Sequence, residues 1–191
     1  MLNIVLFGPP GAGKGTQSEK IIDSFQLEHI ATGDLFRKHL GEGTELGNLA
    51  KKYMNEGRLV PDEVVIGMVE SRIQESLDAK GFIFDGFPRT INQAGALDEM
   101  LKAHNISITG MIALEVPFDE LRTRIKERAK TSGRADDQDD DKISTRISVY
   151  ENETAPVAEY YKEQGKFKGI NGVGSIEDIF TEISKAINSL S

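Results

Sequence analysis

Three short apolar runs along the chain hardly alternate with polar residues. They are Ile4 to Phe7, Phe82 to Phe84 and Met111 to Val116. A strand with one face in solvent alternates apolar and polar positions, whereas a strand of a parallel sheet is covered on both faces and is apolar throughout. The three runs therefore predict buried strands of a parallel sheet.

Three other stretches repeat apolar residues at helical spacing. One follows a predicted N-cap at Asp62, one ends at Gly57, and one begins at Ser175 in a capping-box pattern with Asp178. Their apolar positions are Val65, Met68, Val69 and Ile73; Leu46, Leu49, Ala50, Tyr53 and Met54; and Ile176, Ile179, Phe180, Ile183 and Ile187. We expect the last stripe to pack against the core. Because strands and helices alternate, the predicted class is α/β with right-handed crossovers.

Composition narrows the possible functions of this chain of 191 residues. The formal net charge of −8 argues against a nucleic-acid-binding surface, which needs a basic stripe. The absence of Cys excludes disulfides and thiolate zinc ligands and fits a reducing compartment. No apolar run approaches the roughly 18 residues of a membrane span, and the first residues lead straight into a strand pattern. We expect a cytoplasmic protein with no membrane or nucleic-acid partner, and a monomer by default.

The least apolar stretch of the chain runs from Lys126 to Lys142. We expect a mobile loop that leads into a helix. The stretch contains a cluster of carboxylates, at Asp136, Asp137, Asp139, Asp140 and Asp141. Such a cluster fits a metal site, but Asp residues before a helix also cap its first turn and interact favourably with its dipole. We favour the capping interpretation.

A glycine-rich segment, GPPGAGKGT at residues 8–16, follows the first predicted strand and precedes a helical pattern. A P-loop requires this context. Glycines let backbone N–H groups approach phosphate oxygens, the helix N-terminus adds its positive end, and Lys14 can reach the β- and γ-phosphates. A plain strand-to-helix turn is the alternative. The general motif has Ser or Thr directly after the Lys; here Gly15 precedes Thr16, which argues against direct coordination of Mg²⁺ by that hydroxyl.

The loop resembles that of adenylate kinases and related nucleoside monophosphate kinases. Three further segments resemble the same family and follow in the family's order: ATGDLFR at residues 31–37, FDGFPR at residues 84–89 with Gln93, and RADD at residues 134–137. Four segments in register are not expected by chance. The resemblance implies a P-loop kinase fold, with a central parallel sheet flanked by helices, a small helical AMP-binding subdomain and a short lid.

The resemblance also implies an activity, the reversible Mg²⁺-dependent transfer of the terminal phosphoryl group of ATP to AMP, giving two ADP. The longer members of the family insert further residues into the lid, often with a Cys-based zinc site, whereas only residues 129–133 separate Arg128 from Arg134 here. We therefore expect a short lid and no zinc. The expected division is a core of residues 1–30, 61–127 and 138–191, an AMP-binding subdomain of residues 31–60 and a lid of residues 128–137.

The same resemblance assigns the candidate site residues. The ATP site is expected to comprise Gly11, Ala12, Gly13, Lys14, Gly15, Thr16, Arg128 and the backbone of Gly174. The AMP site is expected to comprise Thr32, Arg37, Arg58, Leu59, Val60, Gly86, Phe87, Pro88, Arg89, Gln93, Arg134 and Arg146. The catalytic set is expected to be Lys14, Arg89, Arg124, Arg128, Arg134 and Arg146. Asp85, at the carboxyl end of a predicted strand, is the candidate to hold Mg²⁺ through water.

The residue types suit these roles. An Arg presents a planar fork of donors that matches two phosphate oxygens, so Arg37 and Arg89 suit a monophosphate; surface ion pairing is the alternative. Gln93 carries an amide donor and an acceptor that can pair with an adenine edge. His29, His39 and His104 occupy unrelated contexts, and we interpret them as bystanders. No general base is needed, because a nucleoside monophosphate presents an anionic oxygen near neutral pH.

Rival functions remain at this point, one from the same class of enzyme and two from other classes. A UMP/CMP kinase has similar loops but usually carries Ala where Thr32 stands, so Thr32 favours AMP. A non-catalytic nucleotide switch would need the phosphate loop but would have no use for the arginine cluster. An RNA- or DNA-binding protein is disfavoured by the acidic balance and by the lack of aromatic platforms for base stacking.

Overall fold

A five-stranded parallel sheet organises the computed structural model, which describes residues 1–190. The strands lie side by side in the order β2-β3-β1-β4-β5. The three strands predicted from the apolar runs are β1, β3 and β4, at the centre of the sheet, so the predicted α/β class is confirmed. The strands are β1 Leu2–Phe7, β2 Glu28–Ala31, β3 Gly81–Asp85, β4 Gly110–Glu115 and β5 Phe167–Asn171.

Helices connect the strands and cover both faces of the sheet. A 3₁₀ turn, Ala135–Asp137, and a π-helical segment, Tyr150–Thr154, flank α7. The α-helices are α1 Lys14–Phe25, α2 Thr32–Gly41, α3 Glu45–Asn55, α4 Asp62–Glu75, α5 Ile91–Ala103, α6 Phe118–Ser132, α7 Asp140–Val149, α8 Val157–Glu163 and α9 Ile176–Asn188.

The central strands are apolar on both faces because each face has its own core. Successive side chains of a strand point to opposite faces. In β1, Val5 packs with a cluster that includes Leu97 of α5, whereas Ile4 packs with a cluster that includes Ile21 of α1 and Ile183 of α9. All five of these side chains are almost completely buried. This arrangement fixes the carboxyl ends of β1, β3 and β4 at one edge of the sheet.

Two details of the predicted helices were wrong. Pro61, and not Asp62, occupies the N-cap position of α4, and the Asp62 side chain instead accepts hydrogen bonds from the start of α5. Ile176, assigned to the core stripe of α9, is 50% exposed, although Ile183 and Ile187 of the same stripe are fully buried. Ser175 does cap α9 by accepting a hydrogen bond from the Asp178 N–H.

The expected loop over residues 126–142 is largely helical. Helix α6 continues to Ser132 and ends at Gly133, whose φ of +62° is a left-handed conformation that glycine adopts readily. Lys, Arg and Ala are good helix formers, so a polar composition does not prevent a helix here. Asp139 caps α7 by accepting a hydrogen bond from the Asp141 N–H at 2.8 Å, as the capping interpretation predicted.

Candidate active site

The segment between β1 and α1 forms an open glycine-rich turn. Gly8, Gly11 and Gly13 all have positive φ, and Gly13 takes the N-cap position of α1 without a side-chain cap. A Cβ on Gly11 would lie 2.8 Å from a side-chain carbon of Ile125, so a larger residue does not fit there. The first N–H groups of α1 are therefore available to an anion, which is what a phosphate cradle needs.

Lys14 extends over this turn from the first position of α1. Its Nζ donates hydrogen bonds to the carbonyl oxygens of Gly8 at 2.9 Å and Pro9 at 3.1 Å. Burial is the main effect that lowers the pKa of Lys14 to about 8. The positive charges of Arg89 and Arg146 act in the same direction, and the negative charge of Asp85 acts against them. The ammonium group therefore lacks enough negative charge nearby, and an anionic ligand would supply it.

A cavity of about 550 Å³ lies above the turn and is lined by residues from distant parts of the chain. It brings together the phosphate loop, the end of β3 and the segment 86–89, residues of α2 and α3, and the region from α6 to the π-helical segment. Its cationic lining residues are Lys14, Arg37, Arg58, Arg89, Arg124, Arg128, Arg134 and Arg146. In a chain with a formal net charge of −8, this is a strong local concentration of positive charge.

Most residues assigned from the sequence line this cavity, but four do not. Thr32, Val60 and Gln93 are buried behind the lining, with exposures of 2%, 6% and 1%. The Thr32 hydroxyl donates to the Gly86 carbonyl oxygen at 2.8 Å. Gly174 lies in the turn between β5 and α9 and is not part of the lining. The direct contacts of these four residues with nucleotide stay predictions.

Arg89 and Arg134 contribute charge that is poorly compensated. Burial and the neighbouring charge of Arg146 lower the pKa of Arg89, while Asp85 acts in the opposite direction. Burial and the charges of Arg37 and Arg128 lower the pKa of Arg134. The Arg89 Nε donates to the Gly86 carbonyl oxygen at 2.7 Å, which holds the side chain against the wall. Guanidinium groups that repel one another form a site that gains by binding a polyanion.

Asp137 supplies the main counter-charge to Arg128 and Arg146. Its side chain is completely buried and accepts hydrogen bonds from Arg128 Nε and Nη2 at 2.7 and 2.8 Å, and from Arg146 Nη1 at 2.7 Å. Burial opposes ionisation of this carboxyl group, but Arg128 and Arg146 outweigh it and hold the pKa of Asp137 below its ordinary value. Sequence reasoning placed Asp137 in a capping cluster and did not find this role.

Arg124 joins the phosphate loop to the turn after β5. Its Nη2 donates to the Gly172 carbonyl oxygen at 2.9 Å, its Nη1 lies 3.4 Å from the Ala12 carbonyl oxygen, and its Nε donates to Glu120 at 2.7 Å. These contacts use donors on all three guanidinium nitrogens. Arg124 therefore supports the shape of the loop as well as adding charge to the cavity.

The opposite end of the cavity carries two arginines that are paired in the structure. Arg37 forms an ion pair with Asp34 one turn earlier in α2, and Arg58 forms one with Glu56 and lies over the Tyr53 ring. Both arginines also line the cavity. For Arg37, the surface ion pair that was its alternative in the sequence is thus present, and its contact with a ligand stays a prediction. Solvent-exposed pairs of this kind are weak enough to exchange partners.

Asp85 occupies the end of β3 next to the phosphate loop and lines the cavity. Burial opposes its ionisation, yet His29 and Lys14 outweigh that effect and keep the pKa of Asp85 below its ordinary value. The Nε2 atom of His29 lies 3.9 Å from Asp85 Oδ2, so His29, interpreted from sequence as a bystander, borders the site. Within residues 1–190, no three His, Cys, Asp or Glu side chains gather as a metal-binding group.

Sequence reasoning missed several other lining residues. Met54 of α3, Asp136 of the 3₁₀ turn, and Tyr150 and Thr154 of the π-helical segment all face the cavity. The Tyr150 ring lies 5.8 Å from that of Phe7, and burial raises its pKa to about 12. A π-helical turn is rare and often marks a functional site, but its presence depends on tertiary packing and has no signal in the sequence.

Comparison with known proteins gives a consistent result. The family model described as adenylate kinase matches residues 6–166. Curated relatives named adenylate kinase from Bacteroides fragilis and Flavobacterium psychrophilum are each 50% identical to this chain over 190 residues, covering 100% of both chains. A relative of the same name from Syntrophobacter fumaroxidans is 44% identical and covers 96% of this chain and 98% of its own. No helix in residues 1–190 has the length and hydropathy needed to cross a membrane.

Proposed function

Because this chain belongs to the adenylate kinase family, whose members transfer the terminal phosphoryl group of ATP reversibly to AMP, we propose that its cavity holds the two nucleotides end to end. The observation that carries the proposal is the convergence of one lysine and seven arginines on a single cavity above the phosphate loop. One nucleotide needs fewer cations than this, whereas two polyanions that must approach each other need their mutual repulsion offset.

The triphosphate of ATP lies on the glycine turn in this proposal. Its oxygens accept hydrogen bonds from the N–H groups at the start of α1, near Gly13, Gly15 and Thr16, and Lys14 bridges the β- and γ-phosphates. Arg128 and Arg146 exchange part of their bonding with Asp137 for bonding with phosphate oxygens. No proton acceptor is required, because the attacking phosphate oxygen of AMP is already ionised.

The AMP phosphate lies at the other end of the same cavity. Arg37 and Arg89 offer two forked donor sets on either side of it, and the apolar residues Met54 and Leu59 line the wall that would face the nucleoside. Thr32 and Gln93 lie just behind that wall, where they would recognise the base once it enters. This assignment makes residues 31–60 the AMP-binding subdomain and residues 61–127 part of the core.

Mg²⁺ completes the site in this proposal, and the residues present fit that ion. Mg²⁺ keeps several waters and is usually held by one or two carboxylates plus substrate phosphates, so one ionised carboxylate beside the phosphate loop is sufficient. Asp85 has the low pKa and the position that this role requires. When bound, the ion neutralises charge on the β- and γ-phosphates. The absence of Cys leaves no thiolate ligand for zinc in the lid.

The lid is short, because Gly133 and the 3₁₀ turn Ala135–Asp137 connect α6 directly to α7. A lid of this size, residues 128–137, can still exclude water from the phosphoryl group during transfer. We further propose that the protein acts as a monomer in the cytoplasm, without nucleic-acid or membrane partners. The acidic net charge and the absence of Cys support this proposal.

An acceptor panel tests the proposed substrate. With ATP and Mg²⁺, we expect kcat/KM for AMP to exceed that for CMP and UMP by at least a hundredfold, because Thr32 stands where a UMP/CMP kinase usually has Ala. Comparable values for the three acceptors would overturn the choice of AMP. A donor series with GTP in place of ATP measures how strictly the triphosphate site selects its base.

A further inference from the structure

The Asp62 side chain accepts hydrogen bonds from side chains at the start of another helix. Asp62 is the first residue of α4, at the boundary between residues 31–60 and the core, and it is partly buried. Its carboxylate oxygens accept hydrogen bonds from Gln93 Nε2 at 2.8 Å, Asn92 Nδ2 at 2.9 Å and the Thr90 hydroxyl at 3.2 Å. All three donors belong to the start of α5. The helix dipole alone stabilises an acid in the first turn of a helix. The dipole therefore does not account for the three hydrogen bonds that Asp62 accepts from α5.

The Gln93 side-chain amide is held at both of its ends. Its Oε1 accepts a hydrogen bond from the Arg89 N–H at 2.7 Å, and its Nε2 donates to Asp62. The Arg89 N–H can only donate and an ionised carboxylate can only accept, so a half-turn of the amide would oppose donor to donor and acceptor to acceptor. Asp62 and Arg89 together therefore fix which end of the amide is the donor.

This orientation matters for the choice of base. Each end of the Gln93 amide makes one hydrogen bond in the structure, and each can make a second. Adenine presents an acceptor at N1 and a donor at the 6-amino group, whereas hypoxanthine presents a donor at N1 and an acceptor at the 6-oxygen. One orientation of a glutamine amide matches adenine, and the flipped orientation matches hypoxanthine.

We propose that Asp62 is a specificity-determining positioning residue, which selects AMP over 6-oxopurine monophosphates by preventing the Gln93 amide from turning over. The inference rests on the proposed pairing of Gln93 with adenine. Gln93 is 1% exposed, so the base must displace the residues that now cover it. The amide has to keep its direction while this happens, and the bond to Asp62, on a separate helix, provides that restraint.

The same restraint reaches the phosphate end of the AMP site. Gln93 holds the backbone of Arg89, whose Nε donates to the Gly86 carbonyl oxygen, and that oxygen also accepts the Thr32 hydroxyl. Asp62 is thus the outer end of a continuous set of hydrogen bonds that passes behind the wall of the AMP site. Loss of its carboxylate should therefore affect binding of AMP more than turnover.

Asp62→Ser is the variant that tests this proposal. Serine is well tolerated at a helix start, but its hydroxyl is too short to reach Gln93. Glu63→Ala is the matched control: Glu63 is an exposed acid in the same first turn, and no hydrogen bond or ion pair of its side chain occurs within the described residues 1–190. Asp62→Asn keeps the shape of the side chain, but its amide can donate as well as accept, so it should lose part of the restraint.

The measurement is kcat and KM for AMP and for inosine monophosphate, with ATP saturating. We expect Asp62→Ser to lower the AMP to inosine monophosphate ratio of kcat/KM at least tenfold, mainly through a higher KM for AMP. Glu63→Ala should keep the ratio within threefold of wild type, and the ratio of Asp62→Asn should lie between those of wild type and Asp62→Ser. An unchanged ratio in folded Asp62→Ser would overturn the proposal.

Two further measurements separate this proposal from the assignment on which it rests. Gln93→Leu should abolish the preference for AMP; if it does not, Gln93 does not read the base, and both the pairing and the role of Asp62 are wrong. If Asp62→Ser does not fold, an NMR measurement on the wild-type protein tests the proposal instead. NMR should then detect a scalar coupling between Gln93 Nε2 and Asp62 Cγ across their hydrogen bond, and the absence of that coupling would contradict the restraint.

Discussion

Asp137 accepts two hydrogen bonds from Arg128 in a forked arrangement, at 2.7 and 2.8 Å, with no exposure of its side chain to solvent. Arg146 adds a third bond from α7. Helix α6, the 3₁₀ turn and α7 are therefore joined through one buried carboxylate. The same two guanidinium groups line the cavity. Asp137 therefore holds them in position, and it would compete with a phosphate group for their N–H donors.

Replacement of Asp137 by Asn should destabilise the protein. The amide keeps the shape of the side chain but leaves Arg128 without its counter-charge and Arg146 with Asp136 alone. We expect the free energy of unfolding at pH 7 to fall by about 2 to 3 kcal/mol. Denaturant unfolding measures this. The matched control is Asp141→Asn, an exposed acid in the first turn of α7, which should change the free energy by less than about 0.5 kcal/mol.

The difference in the free energy of unfolding between wild type and Asp137→Asn should depend on pH. The pKa of Asp137 in the folded protein is below its ordinary value of 3.8, so its contribution is fully present above that value and is lost as pH falls through the lower, folded-state pKa. The stability curves of wild type and Asp137→Asn should therefore converge on acidification. Parallel curves down to pH 2 would show that the carboxylate is not stabilised by its arginines.

Lys14→Met should remove at least nine tenths of the transfer activity without loss of folding, because no other group can bridge the transferring phosphate from the loop. The control is Lys20→Met, on the same helix, whose Nζ pairs with Glu177 at the surface and should leave kcat unchanged. A Lys14→Met protein that retains more than about a tenth of the wild-type rate would contradict the assigned role of this lysine.

The stability of Lys14→Met relative to wild type should also depend on pH, in the same sense as for the Asp137 variant but over a higher pH range. The pKa of Lys14 in the folded protein is about 8, below its ordinary 10.5, so the charged ammonium destabilises the fold below pH 8 and this penalty disappears as pH rises towards 10.5. Lys14→Met should therefore unfold at no lower a temperature than wild type at pH 7, with any advantage shrinking between pH 8 and 10.5. A substantially lower melting temperature at pH 7 would argue against the penalty.

Asp85→Asn should raise the Mg²⁺ concentration needed for half-maximal rate at least tenfold, while the Kd for AMP stays within twofold. The reason is that the proposed water-mediated contact to the ion loses its charge. Asp34→Asn is the control, because Asp34 lines the same cavity but pairs with Arg37. An unchanged Mg²⁺ dependence in Asp85→Asn would rule Asp85 out as the carboxylate that holds the ion.

Gly57→Ala should destabilise the closed contact between residues 31–60 and α7. Gly57 has a φ of +71°, and an added Cβ would lie 2.9 Å from Arg146 Cγ and 3.1 Å from the Lys142 carbonyl oxygen. We expect a loss of at least about 1 kcal/mol in the free energy of unfolding. Gly67→Ala is the control, because an added Cβ at this position of α4 would meet no atom within 4 Å. Its free energy of unfolding should rise by up to about 1 kcal/mol. A rise in both variants would contradict the contact at Gly57.

The sequence predicted the centre of the fold better than its edges. Strands β1, β3 and β4 are buried on both faces and are continuous apolar runs, whereas β2 has four residues and β5 exposes three of its five. Such short or half-exposed strands depend on pairing with a neighbour, which local pattern does not encode. The last turns of helix α6 were predicted as a loop for a similar reason: they are polar, and polarity does not distinguish a solvated helix from a loop.

Part of the candidate site was likewise beyond the reach of sequence. The phosphate loop was predicted from its glycine spacing, and the arginines were predicted from the resemblance to adenylate kinases, which their residue type supports. The partners of Asp62 and Asp137 were not, because an acidic residue near a helix start gives the same pattern whether it caps that helix or binds side chains from another element. Only the packing of α4 on α5, and of the lid on α7, decides between the two.

A dinucleotide in which two adenosines are joined by five phosphates tests the central claim most directly, since it spans both proposed halves of the cavity. In steady-state kinetics with Mg²⁺, we predict that it inhibits competitively against ATP and also against AMP, and that calorimetry gives one molecule bound per chain. Competition with only one of the two substrates, or two molecules bound per chain, would contradict a single cavity that holds both nucleotides end to end.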